Sequence, residues 1–200
     1  PSGADSVRPM KIASFNINGI KARLPAFLEW LRDANADVVA LQEIKSTDEQ
    51  FPRLEIEDMG YNLETHGQKG FNGVALLSKL PMEDVTRGLP GDDSDEQARW
   101  IEATVAGVRV CGLYLPNGNP APGPKYDYKL GWMARLEARA KALIEAEETA
   151  VILGDYNVIP QDEDCWNPAV WAKDALFLPP TRKAFHRLIN LGLTDALRAV

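Results

Sequence analysis

The sequence is poor in the features that mark specialised classes of protein. It has two cysteines in 200 residues, Cys111 and Cys165. They lie too far apart for a zinc-ligand spacing and are too few for a disulfide scaffold. No apolar run approaches the roughly 20 residues needed to span a bilayer, and residues 1–9 lack the apolar core of a secretion signal. Low-complexity tracts and short tandem repeats are absent. Positive charge is not in excess either. With 22 Lys and Arg against 29 Asp and Glu, the net charge is −7, which argues against nonspecific wrapping of a polyanion. An enzyme acting on nucleic acid stays open, because a metal ion can neutralise local acid and a minority of basic residues can share one face. Lys21, Arg23, Lys45, Lys69, Arg99, Lys125 and Lys129 are candidates for that face. The few cysteines lead to the expectation of a cytoplasmic protein, and the lack of a long apolar run to that of no membrane partner; a monomer is expected.

What is present is an ordinary globular composition, 45% hydrophobic and 26% charged, enough to bury a core. Patterned sequence begins at Met10, so residues 1–9 are expected to form a flexible extension and 10–200 one domain. Strands are predicted over 10–16, 37–43, 60–64, 73–78, 98–105, 108–115 and 150–155, with Ala106-Gly107 as a hairpin turn. Leu24, Phe27, Leu28 and Leu31 form the stripe of an amphipathic helix with Pro25 in its first turn. Further helices are predicted over 126–147 and 182–191. His66 falls in a glycine-bearing loop that runs to Gly70, and the proline-rich stretch 116–124 is an irregular loop. The acidic stretch 92–96 lacks the calcium-loop spacing.

Several apolar strands end in polar residues. Ile12 to Phe15 runs into Asn16-Ile17-Asn18, Val38 to Leu41 into Gln42-Glu43, Val110 to Leu113 into Tyr114, and Ala150 to Gly154 into Asp155-Tyr156-Asn157. In layered α/β proteins, strand ends form the mouth of a site. Two carboxylates, several amides and a tyrosine at one mouth suit a hard cation and a phosphate. Phosphodiester hydrolysis needs an oriented or deprotonated water, stabilised phosphoryl oxygens and a neutralised leaving alkoxide. Asp155 suits the water, with Asn157, two residues on, fixing its geometry or meeting the phosphate. Glu43 suits the metal. Asn16 and Asn18 can bond phosphate or metal-bound water, and Tyr114 can donate to a phosphoryl oxygen. Taken alone, each segment also reads as a turn or a surface position.

The segments Ser14-Phe15-Asn16-Ile17-Asn18-Gly19-Ile20, Leu41-Gln42-Glu43-Ile44-Lys45, Gln68-Lys69-Gly70, Tyr114-Leu115-Pro116-Asn117-Gly118 and Gly154-Asp155-Tyr156-Asn157 resemble those of the exonuclease III and AP endonuclease branch of the endonuclease/exonuclease/phosphatase superfamily. The resemblance implies an α/β fold, a four-layer sandwich of two packed mixed sheets flanked by helices. It implies magnesium-dependent cleavage of duplex DNA, with manganese as a substitute ion, both 3′→5′ from ends and 5′ to abasic sites. By analogy Glu43 binds the metal and Asn16 helps hold it. Asp155, Asn157 and Tyr114 act on water and phosphate, and Lys45, Lys69, Asn117 and Arg99 face DNA. Asn18 stands where some relatives carry Asp. The family closes with a second Asp and a terminal Ser-Asp-His. No Asp-His pair occurs here, and neither His66 nor His186 matches the catalytic histidine. The domain is therefore expected to be incomplete at its C-terminus and its own activity weak. The competing readings are a phosphatase of lipid or small-molecule phosphates and a DNA-binding module without catalysis.

Overall fold

The computed structural model describes residues 9–200, so all but Pro9 of the expected extension lies outside the described residues. The first half of the chain contributes β1 (Ile12–Asn16), α1 (Ile20–Ala34), β2 (Val38–Gln42), the short α2 (Arg53–Glu57), β3 (Asn62–His66) and β4 (Val74–Ser78). Its sheet has the order β1-β2-β4-β3, with β1 and β2 parallel and the other pairs antiparallel. The second half supplies β5 (Glu83–Arg87), β6 (Trp100–Val105), β7 (Val108–Tyr114), α3 (Pro124–Glu145), β8 (Ala150–Asp155), α4 (Pro168–Trp171) and α5 (Pro179–Ile189). Its sheet runs β5-β6-β7-β8, with β7 and β8 parallel.

Three apolar clusters separate four layers. Phe27 and Leu31 of α1 pack with Val39 and Leu41 on the outer face of the first sheet. Trp132, Leu136 and Leu143 of α3 and Phe185 and Leu188 of α5 cover the outer face of the second. Ala40 and Leu76 meet Ile101, Ala103 and Val110 between the sheets. β2 and β4 are buried along their whole length, which is why they read as continuous apolar runs rather than alternating ones. Gly112 keeps the sheets close, since a Cβ there would sit 3.3 Å from Leu76 and 3.4 Å from Ala40. Among the described residues no helix is long and apolar enough to cross a membrane.

The structure departs from the sequence reading at several places. β5 was not anticipated, because its residues are mostly exposed and polar and its pairing with β6 is irregular. α1 starts at Ile20, whose amide bonds the Ile44 carbonyl, so Pro25 lies beyond the first turn. α5 starts at Pro179, with prolines in the first turn where their missing N–H costs no bond. His66 ends β3 rather than lying in the following loop, and its Nδ1 sits 3.2 Å from the Trp100 carbonyl.

Candidate active site

The C-terminal ends of β1, β2, β7 and β8 gather at one edge of the sandwich. Parallel pairing sets Asn16 beside Gln42 in the first sheet and Tyr114 beside Asp155 in the second, and β1 packs against β8 across the layers. Asn16 therefore stands between two carboxylates. Its Nδ2 donates to Glu43 Oε1 at 3.0 Å and to Asp155 Oδ2 at 2.9 Å. Its Oδ1 accepts the Asn18 amide at 3.0 Å. A backbone N–H can only donate, so this bond fixes which end of the Asn16 amide faces the carboxylates.

The other oxygens are also engaged. Asp155 Oδ1 accepts the Asn157 amide at 3.0 Å, and Asn157 Nδ2 donates to the Leu115 carbonyl at 2.8 Å. Lys45 Nζ lies 3.2 Å from Glu43 Oε2 and donates to Asn18 Oδ1 at 2.5 Å. Burial pushes the Glu43 carboxyl up, but the Asn16 amide, Lys45 and the Tyr114 hydroxyl outweigh it and hold the group below its usual value. Burial and the charge of Glu43 push the Tyr114 phenol up, so it stays a proton donor. Asn18, Glu43, Lys45 and Asn157 all have left-handed backbone, with φ between 45° and 50°. Non-glycine residues adopt it at a cost of about 1–3 kcal/mol each, and its concentration on the loops leaving these strands marks a place where side-chain direction overrides backbone comfort.

Two carboxylates converge, not three. Among the described residues no group of three or more His, Cys, Asp or Glu side chains could hold a metal ion. That donor set does not suit zinc or a calcium cage. It does suit magnesium, which takes one or two carboxylates and keeps several waters. Asn16 braces Glu43 and Asp155 through its Nδ2, and its oxygen, having accepted one N–H, keeps a second lone pair that an ion or its water could use.

The expected DNA-facing residues separate. Lys69 and Asn117 are exposed on loops, and Lys45 sits inside the site. The Arg99 guanidinium lies 4.9 Å from the Tyr114 ring and 6.0 Å from the Tyr128 ring, with its Nε bonded to Gln97 at 2.7 Å. It is half-buried and lies against the Tyr114 ring. Lys129 leaves the proposed basic face altogether, since it is completely buried. Sequence reasoning also passed over Phe71, which is 70% exposed beside Lys69 and Gly70.

Burial lowers the Lys129 ammonium from its ordinary 10.5 to about 8. Between those values the unfolded chain binds more protons than the folded one, so this group's contribution to stability rises with pH. The expected gain between pH 8 and 10.5 is about 3 kcal/mol. Denaturation midpoints measured across that range should show the rise in the wild type and lose it in Lys129→Met.

The sequence profile of the Endonuclease/Exonuclease/phosphatase family matches residues 13–194. The chain is 36% identical over 200 residues to exodeoxyribonuclease III of Haemophilus influenzae, covering 94% of this chain and 75% of that protein. Among solved structures, an AP endonuclease from Archaeoglobus fulgidus matches with a TM-score of 0.91 at 35% identity, over 96% of this chain and 74% of that one. The 3′ phosphatase NExo from Neisseria, bound to a product DNA hairpin, matches with a TM-score of 0.92 at 38% identity, over 96% of this chain and 75% of that one.

Proposed function

Since the chain belongs to the endonuclease/exonuclease/phosphatase family and is a nuclease hydrolase of the exodeoxyribonuclease III and AP endonuclease type, we propose that it hydrolyses phosphodiesters of duplex DNA at abasic sites and 3′ ends in DNA repair. We assign it to one domain running from residue 10, acting as a monomer in the cytoplasm. The observation that carries the reading is the Asn16 amide joining Glu43 of one sheet to Asp155 of the other. A bridge between two anions makes sense where a phosphate and a cation are to be received.

Glu43 would hold a magnesium ion, or manganese in its place. When bound, that ion supplies the charge that offsets the phosphoryl oxygens and the leaving alkoxide. Asp155 orients the attacking water and takes its proton. The Asn157 N–H keeps one Asp155 oxygen fixed, and the second hydrogen of the Asn157 side-chain amide remains to be offered to phosphate. Tyr114, held protonated, donates to a phosphoryl oxygen. Arg99 stiffens Tyr114 from behind. Lys45, Lys69 and Asn117 meet the DNA backbone.

A relative described as a 3′ phosphatase favours a second reading of the same site, removal of a 3′-terminal phosphate. Cleavage assays on an abasic duplex, a blunt duplex and a 3′-phosphorylated duplex separate the two. Preferential nicking of the abasic duplex supports the proposal, and release of inorganic phosphate alone replaces it. Glu43→Gln should raise the half-saturating magnesium concentration by at least about tenfold. A variant with unchanged magnesium dependence removes Glu43 from the metal.

A further inference from the structure

Lys129 lies in the first half of α3, where a leucine or methionine would fill the space without desolvating a charge. It has no exposed surface, and an isolated ammonium in such a place is costly unless its donors are used. Its Nζ donates to the Asn117 carbonyl at 3.0 Å and to the Asn157 carbonyl at 2.5 Å. These belong to the two loops that leave β7 and β8. The loop after β7 rests directly on the lysine stem, since a Cβ on Gly118 would lie 2.6 Å from Lys129 Cδ. Asp174 and Asp155 are the charges that favour its protonated form. Asp174 belongs to a third loop, tied to the first by the Asn119 side chain at 3.1 Å.

The consequence for chemistry runs through Asn157. Its backbone is left-handed, with φ 45°, its carbonyl points at Lys129, and its N–H holds Asp155 Oδ1. Lys129 thus fixes the 157–158 peptide, and the adjoining 156–157 peptide, across the Asn157 Cα, holds the carboxylate. We propose that Lys129 is a positioning residue that pins the Asn117 and Asn157 peptides from beneath, so that the loop after Tyr114 and the loop after Asp155 hold one shared geometry. The effect on rate rests on the nuclease reading above; the pinning itself does not. Because burial already disfavours the charge, the fold should tolerate a neutral side chain of the same shape.

The test is Lys129→Met in the full chain, read by hydrogen exchange and by kinetics. Amides of 115, 117–119 and 156–159 should exchange faster together while those of β2 and β4 stay protected. On an abasic duplex kcat should fall about 100-fold, with KM changed less than threefold. Unchanged exchange in both loops, or kcat within twofold of wild type, overturns the proposal. Where the Met variant does not fold, Lys129→Gln is read in the same way, because its amide ends short of the two carbonyls; loosened loops and a lower kcat support the clamp, and wild-type exchange refutes it. A wild type that cleaves no DNA defeats the nuclease reading, while the exchange result still decides the clamp.

Discussion

Asp155→Asn is expected to lower DNA cleavage by about 10³-fold, the range for removing a positioned general base, with the fold retained. The substitution keeps shape and removes two properties. The new amide cannot take a proton from water. Nor can it accept from both neighbours, since Asp155 receives Asn157 N–H on one oxygen and Asn16 Nδ2 on the other. One of those oxygens becomes a donor, so a donor then faces a donor. The stability cost of that mismatch is about 1–3 kcal/mol, which a melting curve will resolve. Single-turnover cleavage at saturating enzyme separates the chemical step from binding, and duplex affinity should stay within a few-fold of wild type. Cleavage reduced less than tenfold would take Asp155 out of the catalytic role.

Gly154→Ala is expected to be the most damaging single change to the fold at the site. Gly154 pairs with Leu113 in the parallel ladder of β7 and β8 and has φ +147°. A Cβ there would lie 2.0 Å from the Leu113 carbonyl oxygen, a backbone atom with no freedom to retreat. The expected loss is at least about 4 kcal/mol, the exceptional range for one substitution, and refolding should be impaired. Gly107→Ala is the control. It also has positive φ, +80°, but nothing within 4 Å of the added atom, so it should cost only about 1 kcal/mol. Denaturant midpoints for the pair decide the matter. Equal stabilities would mean the ladder does not need the close approach. The position also links fold to chemistry, because the same pairing sets Tyr114 against Asp155.

The legible parts of the fold were those where burial leaves a simple pattern. β2 and β4, covered on both faces, show as unbroken apolar runs, and the α1 stripe shows as helical spacing. β5 left no pattern because water covers most of it, and the short α2 offers too few turns for periodicity. The site was legible as a set of polar strand ends, sharpened by the family resemblance. Each tip was readable alone; the contact between Asn16 and Asp155 was not, since 139 positions separate them and only the packing of the two sheets brings them together. Burial was the part that sequence does not show. Lys129 and Arg99 look in sequence like any basic residues, yet one is a buried tie between loops and the other lies against an aromatic ring.

The most direct test of the account is cleavage of a duplex carrying one abasic site, incubated with this chain in magnesium and again in excess chelator. The expected result is a nick 5′ to the abasic site that requires magnesium and disappears in Asp155→Asn. Cleavage that persists in chelator or survives Asp155→Asn, or the absence of any magnesium-dependent nick, would contradict the claim that Glu43, Asn16 and Asp155 form a metal-dependent nuclease site.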